Sequence, residues 1–386
     1  QEAATSRRSR PNGLVMPDPR IVSYSLQQLI DDPDALAGYD DPGGYLSESG
    51  PRWVEFLRGN PRRAPDDLVI VLTVVADRIV GSLRSIPVAL RIGGQTIRSV
   101  ALRAFFLDAE WRGGGAGGMM LLRVLSTTRS VIAAGGPRPE TIALYLRAGF
   151  TTIGPLSRQV YFNSTRPLIA TAFRAVPLVS GISVALDPFV HMYYRARSRQ
   201  RESGVTFTRV DQFSVDLDRV LASRSDDHMV RESSDLNWVL TYSRGLSAYE
   251  MWDGDALSGY CLIRTEDRAA TPIPFPLPPM RVTSVLDFHV ADPQPRVLSQ
   301  LVRHAVQCSK ADGAEVLEIQ TNRPDLLRCL KNAGFVGAGG FKVLLKTPPT
   351  VPADPGRWRM AAAQGDVFFS ALSVGRSHAP ETPAAP

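Results

Sequence analysis

Residues Leu107–Gly118 read LDAEWRGGGAGG; a strand-like apolar stretch precedes them, and the helix-like segment Met119–Leu125 follows. Glycine lets the backbone turn with consecutive N–H groups pointing outward, and the start of a helix adds the positive end of its dipole. An anion can sit on such a turn because no side chain blocks its approach. The stretch therefore predicts a strand–turn–helix unit of an α/β fold that binds a diphosphate.

Two other nucleotide-binding motifs use a similar turn. A P-loop ends in Gly-Lys-Ser/Thr, whereas this run continues Gly117–Met119 without a lysine. The dinucleotide pattern Gly-x-Gly-x-x-Gly matches Gly113, Gly115 and Gly118 in letters, but it also expects an acidic ribose ligand about 20 residues further on. Residues 130–137, SVIAAGGP, hold no carboxylate. The P-loop is excluded, and the dinucleotide site is a weak alternative.

A second element lies at an informative distance. Arg112-x-x-Gly115-x-Gly117 is followed after about thirty residues by Ala143–Phe150, ALYLRAGF. This ordered pair resembles the acyl-CoA signature of the GNAT (GCN5-related) N-acetyltransferase superfamily. The resemblance implies acetyl-CoA or another acyl-CoA as co-substrate, without a metal, and pantetheine on the backbone of Phe106 and Leu107. The turn it implies for the diphosphate consists of Arg112, Gly113, Gly114, Gly115, Ala116, Gly117 and Gly118.

The same resemblance suggests catalytic residues. Tyr145 lies where many members carry the tyrosine that protonates the departing CoA thiolate, and a phenol suits this task because its ordinary pKa is about 10. The alternative role for Tyr145 is packing on an amphipathic helix. Many members also carry a glutamate on the strand before the turn, but residues 100–107 hold no carboxylate. Asp108 and Glu110 are the candidate bases, with ordinary solvated loop acids as the alternative. A water chain or a carboxylate from the second half could also accept the proton.

Composition sets broader limits. A chain of 386 residues with 44% hydrophobic and 21% charged residues suggests two soluble domains. The net charge of +6 is scattered and lacks a basic run interleaved with aromatic residues, so nucleic acid is not an expected partner. Three widely spaced cysteines predict neither a disulfide framework nor a zinc site and favour a reducing cytoplasm. No apolar run is long enough to span a bilayer.

The order of elements appears twice along the chain. Three predicted strands, a helix at Val297–Ser309, a strand at Ala314–Gln320 and a helix ending in Gly334-Phe335 repeat the order of the first half. We therefore predict an α/β fold of two tandem GNAT-like domains, each with a mixed, mostly antiparallel twisted sheet flanked by helices. The predicted segments are a flexible arm (1–22), a GNAT domain (23–166), a connector (167–204), a degenerate GNAT-like domain (205–347) and a proline-rich tail (348–386).

The second copy is expected to lack an acyl-CoA site. Residues Ala291–Arg296, ADPQPR, replace the glycine turn, and their prolines remove amide N–H groups. Leu330 occupies the position equivalent to Tyr145. One acyl-CoA site per chain is the prediction.

The second half also resembles, over shorter matches, the non-catalytic copy of tandem GNAT proteins encoded with bacterial polysaccharide pathways. The matches are Asp235–Trp238 and Leu286–Phe288. They imply that Asp287 and His289 contact the acceptor, and the position of Trp53 in the first half suggests a wall of the same site. A buried hydrogen-bonded Asp, a core His and a packing Trp are the alternatives.

The predicted function is acyl transfer from acyl-CoA to a primary amine, by direct attack in a ternary complex. The expected partner is a small-molecule amine or amino sugar, with a homodimer as one option. The alternative is a tandem GNAT protein that binds acyl-CoA or a saccharide without turnover and has a regulatory or scaffolding role.

Overall fold

The computed structural model describes residues 18–46, 51–134, 139–167, 187–188, 204–243, 245–269, 278–351 and 354–360. Contacts divide the chain into two compact units. Unit 1 comprises Gln1–Glu55, Ala64–Ser85 and Ala104–Thr127, and unit 2 comprises Phe56–Arg63, Ile86–Arg103 and Thr128–Pro386. The division does not follow the predicted domains, since unit 2 takes in residues 86–103 of the first. We call residues 18–167 the first half and residues 204–360 the second half.

Unit 1 is built on a short antiparallel sheet. Its elements are β1 (Arg20–Ser25), α1 (Leu26–Asp31), the start of α2 (Pro51–Gly59), β2 (Leu68–Val75), the start of β3 (Arg78–Ile92), the end of β4 (Gln95–Leu107), a 3-10 turn (Ala109–Trp111) and α3 (Ala116–Leu125). All eight residues of β2 are buried, which explains the uninterrupted apolar run LVIVLTVV. Ala76 and Asp77 join β2 to β3 with φ of 47° and 62°, the two positive values of a type I′ hairpin turn.

The beginning of the chain corrects one prediction. The flexible arm was expected to reach residue 22, but β1 begins at Arg20 and pairs antiparallel with β2, with Arg20 opposite Val74. At the other end of β1, Ser25 caps α1, because its hydroxyl accepts from the Gln28 N–H while Gln28 Oε1 accepts from the Ser25 N–H. Residues 1–17 of the predicted arm lie outside the described residues.

Unit 2 contains a larger, mostly antiparallel sheet flanked by helices. Its strand order is β4-β5-β13-β6-β12-β11-β10-β9-β7, and only the described pairs β4/β5 and β11/β12 are parallel. The strands are β5 (Val131–Ala134), β6 (Thr151–Phe162), β7 (Val205–Val210), β8 (His228–Met229), β9 (Leu246–Asp253), β10 (Ala256–Arg268), β11 (Met280–Val290), β12 (Val316–Thr321) and β13 (Val336–Lys346). The helices are α4 (Pro139–Arg147), α5 (Asp216–Ala222), α6 (Ser233–Tyr242), α7 (Pro295–Ala311) and α8 (Pro324–Asn332).

The final strand of each half is exchanged within unit 2. β6 belongs to the first half and pairs with β12 of the second, whereas β13 belongs to the second half and pairs with β5 of the first. β6 and β13 also pair with each other. In the order β5-β13-β6-β12, strands of the first and second halves therefore alternate, and exchanging the two halves gives the same pattern. This supports the proposed duplication.

The repeated order of elements predicted from the sequence is present in the second half. The predicted helix Val297–Ser309 is α7, and the predicted strand Ala314–Gln320 is β12. Both halves contain a strand, a helix and a parallel strand in succession, as β4-α3-β5 and β11-α7-β12. Each then continues with a helix and a long strand. This recurrence supports the two-domain layout, which stays a proposal.

The C-terminal tail is packed over part of its length. Trp358 is fully buried, and its carbonyl accepts a hydrogen bond of 2.9 Å from Asn322 Nδ2. The Met360 N–H donates to Asn322 Oδ1 at 2.7 Å, so one amide side chain fixes two points of this segment. The sequence itself suggests a packed segment at Trp358 within the predicted proline-rich tail, and residues 354–360 form one. Residues 361–386 and most of the predicted connector lie outside the described residues.

Candidate functional site

The end of β4 departs from regular strand geometry. Its described ladder with β5 joins residues 100–102 to residues 131–133, while β4 itself continues to Leu107. Ala104 has a φ of 50°, an unusual value for a residue with a Cβ atom. Phe106 is 51% exposed, which is high for an aromatic residue in a strand. This strand end therefore presents surface and backbone beyond the ladder.

The glycine turn that follows is open. Gly113 and Gly115 have φ of 77° and 92°, a conformation that favours glycine, and Gly115 is the N-cap of α3. A Cβ atom built at either position would meet no heavy atom within 4 Å. The first backbone N–H groups of any helix lack an intrahelical partner, and at α3 the N-cap supplies no side-chain hydrogen bond to them. The turn combines these N–H groups, the positive helix end and open space around two glycines, as the sequence predicts for an anion site.

Arg112 stabilises the entrance to this turn. Its Nε donates to the Leu107 carbonyl at 2.8 Å, which joins the end of β4 to the start of the glycine run. Arg112 is exposed. Its partner in this hydrogen bond is a neutral backbone carbonyl, so the bond does not neutralise the charge of the guanidinium. The arginine therefore adds charge beside the α3 N-terminus.

Asp108 lies between β4 and the turn, where it accepts a hydrogen bond from the Tyr45 hydroxyl. Its other oxygen is 3.6 Å from Arg78 Nη2. Burial and the neighbouring Asp108 carboxylate raise the pKa of Tyr45 above its ordinary value, so Tyr45 stays protonated and donates. The other candidate base, Glu110, is exposed on the 3-10 turn.

Tyr45 is a residue that sequence reasoning missed. The Asp41 carboxylate fixes its loop by accepting from the N–H groups of Tyr45 and Leu46 at 2.7 and 2.6 Å. A Cβ atom at Gly43 would come within 2.4 Å of the Tyr45 ring, so a side chain there would displace that ring. The Tyr45 ring centroid lies 6.4 Å from that of Phe106. The only sequence signal was one aromatic residue in an Asp/Pro/Gly loop, which is typical of many loops.

Trp53 is a buried residue of α2. It is 5% exposed, and the Arg84 guanidinium lies 5.8 Å from its ring centroid. Arg84 also donates to the Tyr45 carbonyl. Trp53 thus occupies a packing position in unit 1, and its contact with a substrate stays a prediction.

Tyr145 belongs to unit 2. It is 2% exposed on α4, and its ring packs against Phe150 with centroids 5.0 Å apart. The carbonyl of Tyr145 accepts from the Phe150 N–H at 3.1 Å, while Gly149 has a φ of 84° at the helix end. The predicted Gly-Phe helix terminus is therefore present, and the catalytic role of Tyr145 stays a prediction.

The two acceptor candidates of the second half differ in their hydrogen bonding. Asp287 is buried and accepts from Arg231 Nε at 3.1 Å and from the Phe288 N–H at 2.9 Å. His289 is 4% exposed, and neither ring nitrogen has a hydrogen-bond partner among the described residues. Burial, with Arg224 nearby, lowers the pKa of His289 to about 3, so the ring is neutral. Asp287 is satisfied by the protein, whereas His289 is not.

The second-half turn carries side chains that bond one another. β11 ends at Val290, and α7 begins at Pro295 with Gln294 as its N-cap. Gln294 Nε2 donates to Asp292 Oδ2 at 2.6 Å, and Arg296 Nε donates to Gln294 Oε1 at 3.1 Å. Leu330, the counterpart of Tyr145, is fully buried in α8. These contacts support the prediction that the second copy has no diphosphate site.

Neither a metal centre nor a membrane span is found in the described part of the chain. Within the described ranges, no group of three or more His, Cys, Asp or Glu residues could hold a metal ion. Among the same residues, no helix is both long and apolar enough to cross a membrane.

Comparisons with known proteins give the fold. No protein-family model matches the chain, and no curated protein matches its sequence. A GCN5-related N-acetyltransferase from Anabaena variabilis ATCC 29413 matches with a TM-score of 0.51 and 12% identity over 85% of this chain and 72% of that chain. A GCN5-related N-acetyltransferase from Kribbella flavida matches with a TM-score of 0.50 and 16% identity, over 91% of this chain and 83% of that chain. Saccharomyces cerevisiae N-myristoyltransferase with bound myristoyl-CoA matches with a TM-score of 0.53 and 11% identity, over 94% of this chain and 92% of that chain. The chain has the fold of these N-acyltransferases.

Proposed function

We propose that this chain transfers an acyl group from acyl-CoA, acetyl-CoA in the simplest case, to a primary amine. The observation that carries the proposal is the open turn Arg112–Gly118 at the start of α3, with its two positive-φ glycines and unobstructed approach. Backbone N–H groups and the helix dipole would hold the diphosphate, and Arg112 would add a positive charge. The fold shared with N-acyltransferases supports this assignment.

The reacting end of the cofactor is assigned to the end of β4. The backbone of Phe106 and Leu107 would hydrogen-bond the pantetheine and polarise the thioester carbonyl, which raises its reactivity toward an amine. The exposed Phe106 and the positive φ of Ala104 support this role, because they distinguish this strand end from a regular ladder.

The proton transfers would use side chains of the first half. The neutral amine attacks the thioester carbonyl, Asp108 or Glu110 accepts the amine proton, and Tyr145 donates a proton to the sulfur as the carbon–sulfur bond breaks. Tyr45 and Arg78 hold the Asp108 carboxylate in place. Among acceptors we favour a small amine or amino sugar.

The test measures thiol release from acetyl-CoA across a panel of amines and amino sugars. Acyl transfer predicts amine-dependent thiol release, together with stabilisation of the folded chain by CoA that grows with its concentration. A melting temperature that CoA does not change would overturn the proposal.

A second candidate is acyl-CoA binding without turnover. Two observations favour it: β4 residues 100–107 include no carboxylate, and Tyr145 is only 2% exposed. CoA binding combined with no thiol release on any amine of the panel would select this candidate.

A further inference from the structure

Among the described residues, five of the twelve buried side-chain polar atoms without a hydrogen-bond partner lie on one face of the strands β6, β12, β11 and β10. Residues paired across neighbouring strands share a face, and the pairs Gln320/Arg158, Glu318/Ser284 and Ser284/Arg264 place these side chains together. A one-residue irregularity in β11 brings Asp287 and His289 to the same face, since they pair with Leu262 and Tyr260 of β10. The opposite face carries the core cluster that includes Cys261, Ile263, Phe288, Leu317 and Ile319.

This polar face carries a network of charged side chains, some of which are buried. Glu318, 3% exposed, accepts from Arg158 Nη2 at 2.9 Å and from Arg268 Nη1 at 2.8 Å. Arg268 also bonds Ser284 and Glu266, and Arg264 Nη2 lies 2.7 Å from the same Glu266. Burial lowers the pKa of Arg264, whose side chain is 9% exposed. Side chains of Arg158, Arg268 and Glu266 are 35%, 26% and 32% exposed, so solvent reaches the network from its rim.

Within this network, positive charge exceeds negative charge by one. Three guanidinium groups, of Arg158, Arg264 and Arg268, face two carboxylates, of Glu266 and Glu318. A buried guanidinium that is only partly compensated favours an anion nearby.

The unpartnered atoms specify more than charge. Arg158 Nε and Arg264 Nε are buried donors without an acceptor, and Gln320 Oε1 is a buried acceptor without a donor, among the described residues. The neutral ring of His289, likewise without partners there, offers one donor and one acceptor. Buried polar atoms in native proteins are nearly always hydrogen-bonded. This number of unpartnered atoms on one face therefore indicates a ligand or ordered water.

We infer that this face of β6, β12, β11 and β10 is a binding site for a hydroxylated organic anion, such as a sugar acid or a sugar phosphate. The anionic oxygens accept from Arg158 and Arg264. A hydroxyl of the same ligand donates to Gln320 Oε1, which a bare carboxylate cannot do. The site is separate in its residues from the glycine turn and does not depend on acyl transfer.

The experiment is calorimetric titration of the full chain, without CoA, with glucuronate and glucose 1-phosphate, and with acetate, inorganic phosphate and glucose as comparisons. At least one hydroxylated anion should bind about tenfold or more tightly than all three comparison solutes. Equal binding of glucose would overturn the inference, as would no binding by either hydroxylated anion up to about 10 mM.

Two isosteric or near-isosteric variants locate the site. Gln320→Glu places a negative charge beside the anion and should weaken binding about tenfold or more, whereas Gln159→Glu, the same change on the opposite face of β6, should not. Arg264→Lys keeps the charge but removes the planar donor and should also weaken binding, unlike Arg281→Lys at an exposed position of β11. Equal affinities of Gln320→Glu and Gln159→Glu would overturn the inference. The same titration is repeated with Gly115→Ala, which changes the glycine turn proposed for acyl-CoA. Unchanged binding of the hydroxylated anion by this variant would show that the two sites can fail independently.

Discussion

The two strand-to-helix turns of this chain differ although they occupy the same place in the order of elements. Residues 108–115 join β4 to α3 through exposed glycines with positive φ, whereas residues 291–294 join β11 to α7 through a short, proline-containing connection. In the first turn, a Cβ atom at Gly113 or Gly115 would meet no heavy atom within 4 Å. In the second, side chains of Asp292, Gln294 and Arg296 bond one another. The anion site that we propose therefore depends on the composition of the turn, and the surrounding strand–helix–strand frame is common to both halves.

The strongest test of this difference substitutes Gly115. An alanine there at a φ of 92° strains the backbone and places a methyl group in the path of the diphosphate, so we expect kcat/KM for acetyl-CoA to fall about a hundredfold or more. Gly94→Ala is the matched control, because Gly94 has a φ of 84° and equally open surroundings in the β3–β4 turn. Equal losses in the two variants would mean that strain alone, and not the anion site, explains the effect.

A second test concerns acid stability, which should depend on the second half. Burial lowers the pKa of His289 to about 3 and those of His228 and His304 to about 4, and these are the histidines of the described residues. The unfolded chain binds protons below its ordinary histidine pKa of about 6.5 while the folded chain does not, so stability falls as the pH drops from about 6.5 toward 4. For His289 alone the loss by about pH 4.5 is on the order of 2 kcal/mol.

Urea unfolding at neutral pH and at about pH 4.5 measures this loss. His289→Gln should reduce the difference between the two midpoints, because glutamine does not titrate. An unchanged difference would show that the proton uptake occurs elsewhere.

Replacement of Tyr145 sharpens the comparison between α4 and α8, since Leu330 shows that the fold tolerates an apolar residue at this position. Tyr145→Phe should lower kcat about tenfold or more with little change in KM, because only protonation of the thiolate is lost. Tyr161→Phe removes a hydroxyl from another buried tyrosine and should leave kcat near the wild-type value. A normal kcat for Tyr145→Phe would assign the residue to packing.

The smallest effect is expected from changing the second turn. The double variant Pro293→Gly, Pro295→Gly restores backbone flexibility and one N–H group at each position, but the turn stays short and its side chains remain. Calorimetry should therefore still give one CoA per chain. A stoichiometry of two would show that proline alone suppresses a second site.

Local sequence patterns predicted several parts of this molecule. The buried run of β2, the amphipathic helix α7 and the glycine turn depend on neighbours within a few residues, so periodicity and composition were sufficient to find them. Strand β1 was not predicted, because a polar terminus resembles a flexible arm until its partner β2 is known. The bond between Tyr45 and Asp108 joins residues 63 positions apart, and no local pattern predicts it.

By itself, the sequence determined the repeated order of elements and the one turn without obstructing side chains, because backbone conformation and side-chain volume are local properties. Only the tertiary structure decided the exchange of β6 and β13, the two hydrogen bonds of Asn322 to residues 358 and 360, and the gathering of Arg158, Arg264, Gln320 and His289 on one sheet face. Strand pairing joins residues that are far apart in the chain. Which polar groups find partners is therefore settled only when the sheet is assembled.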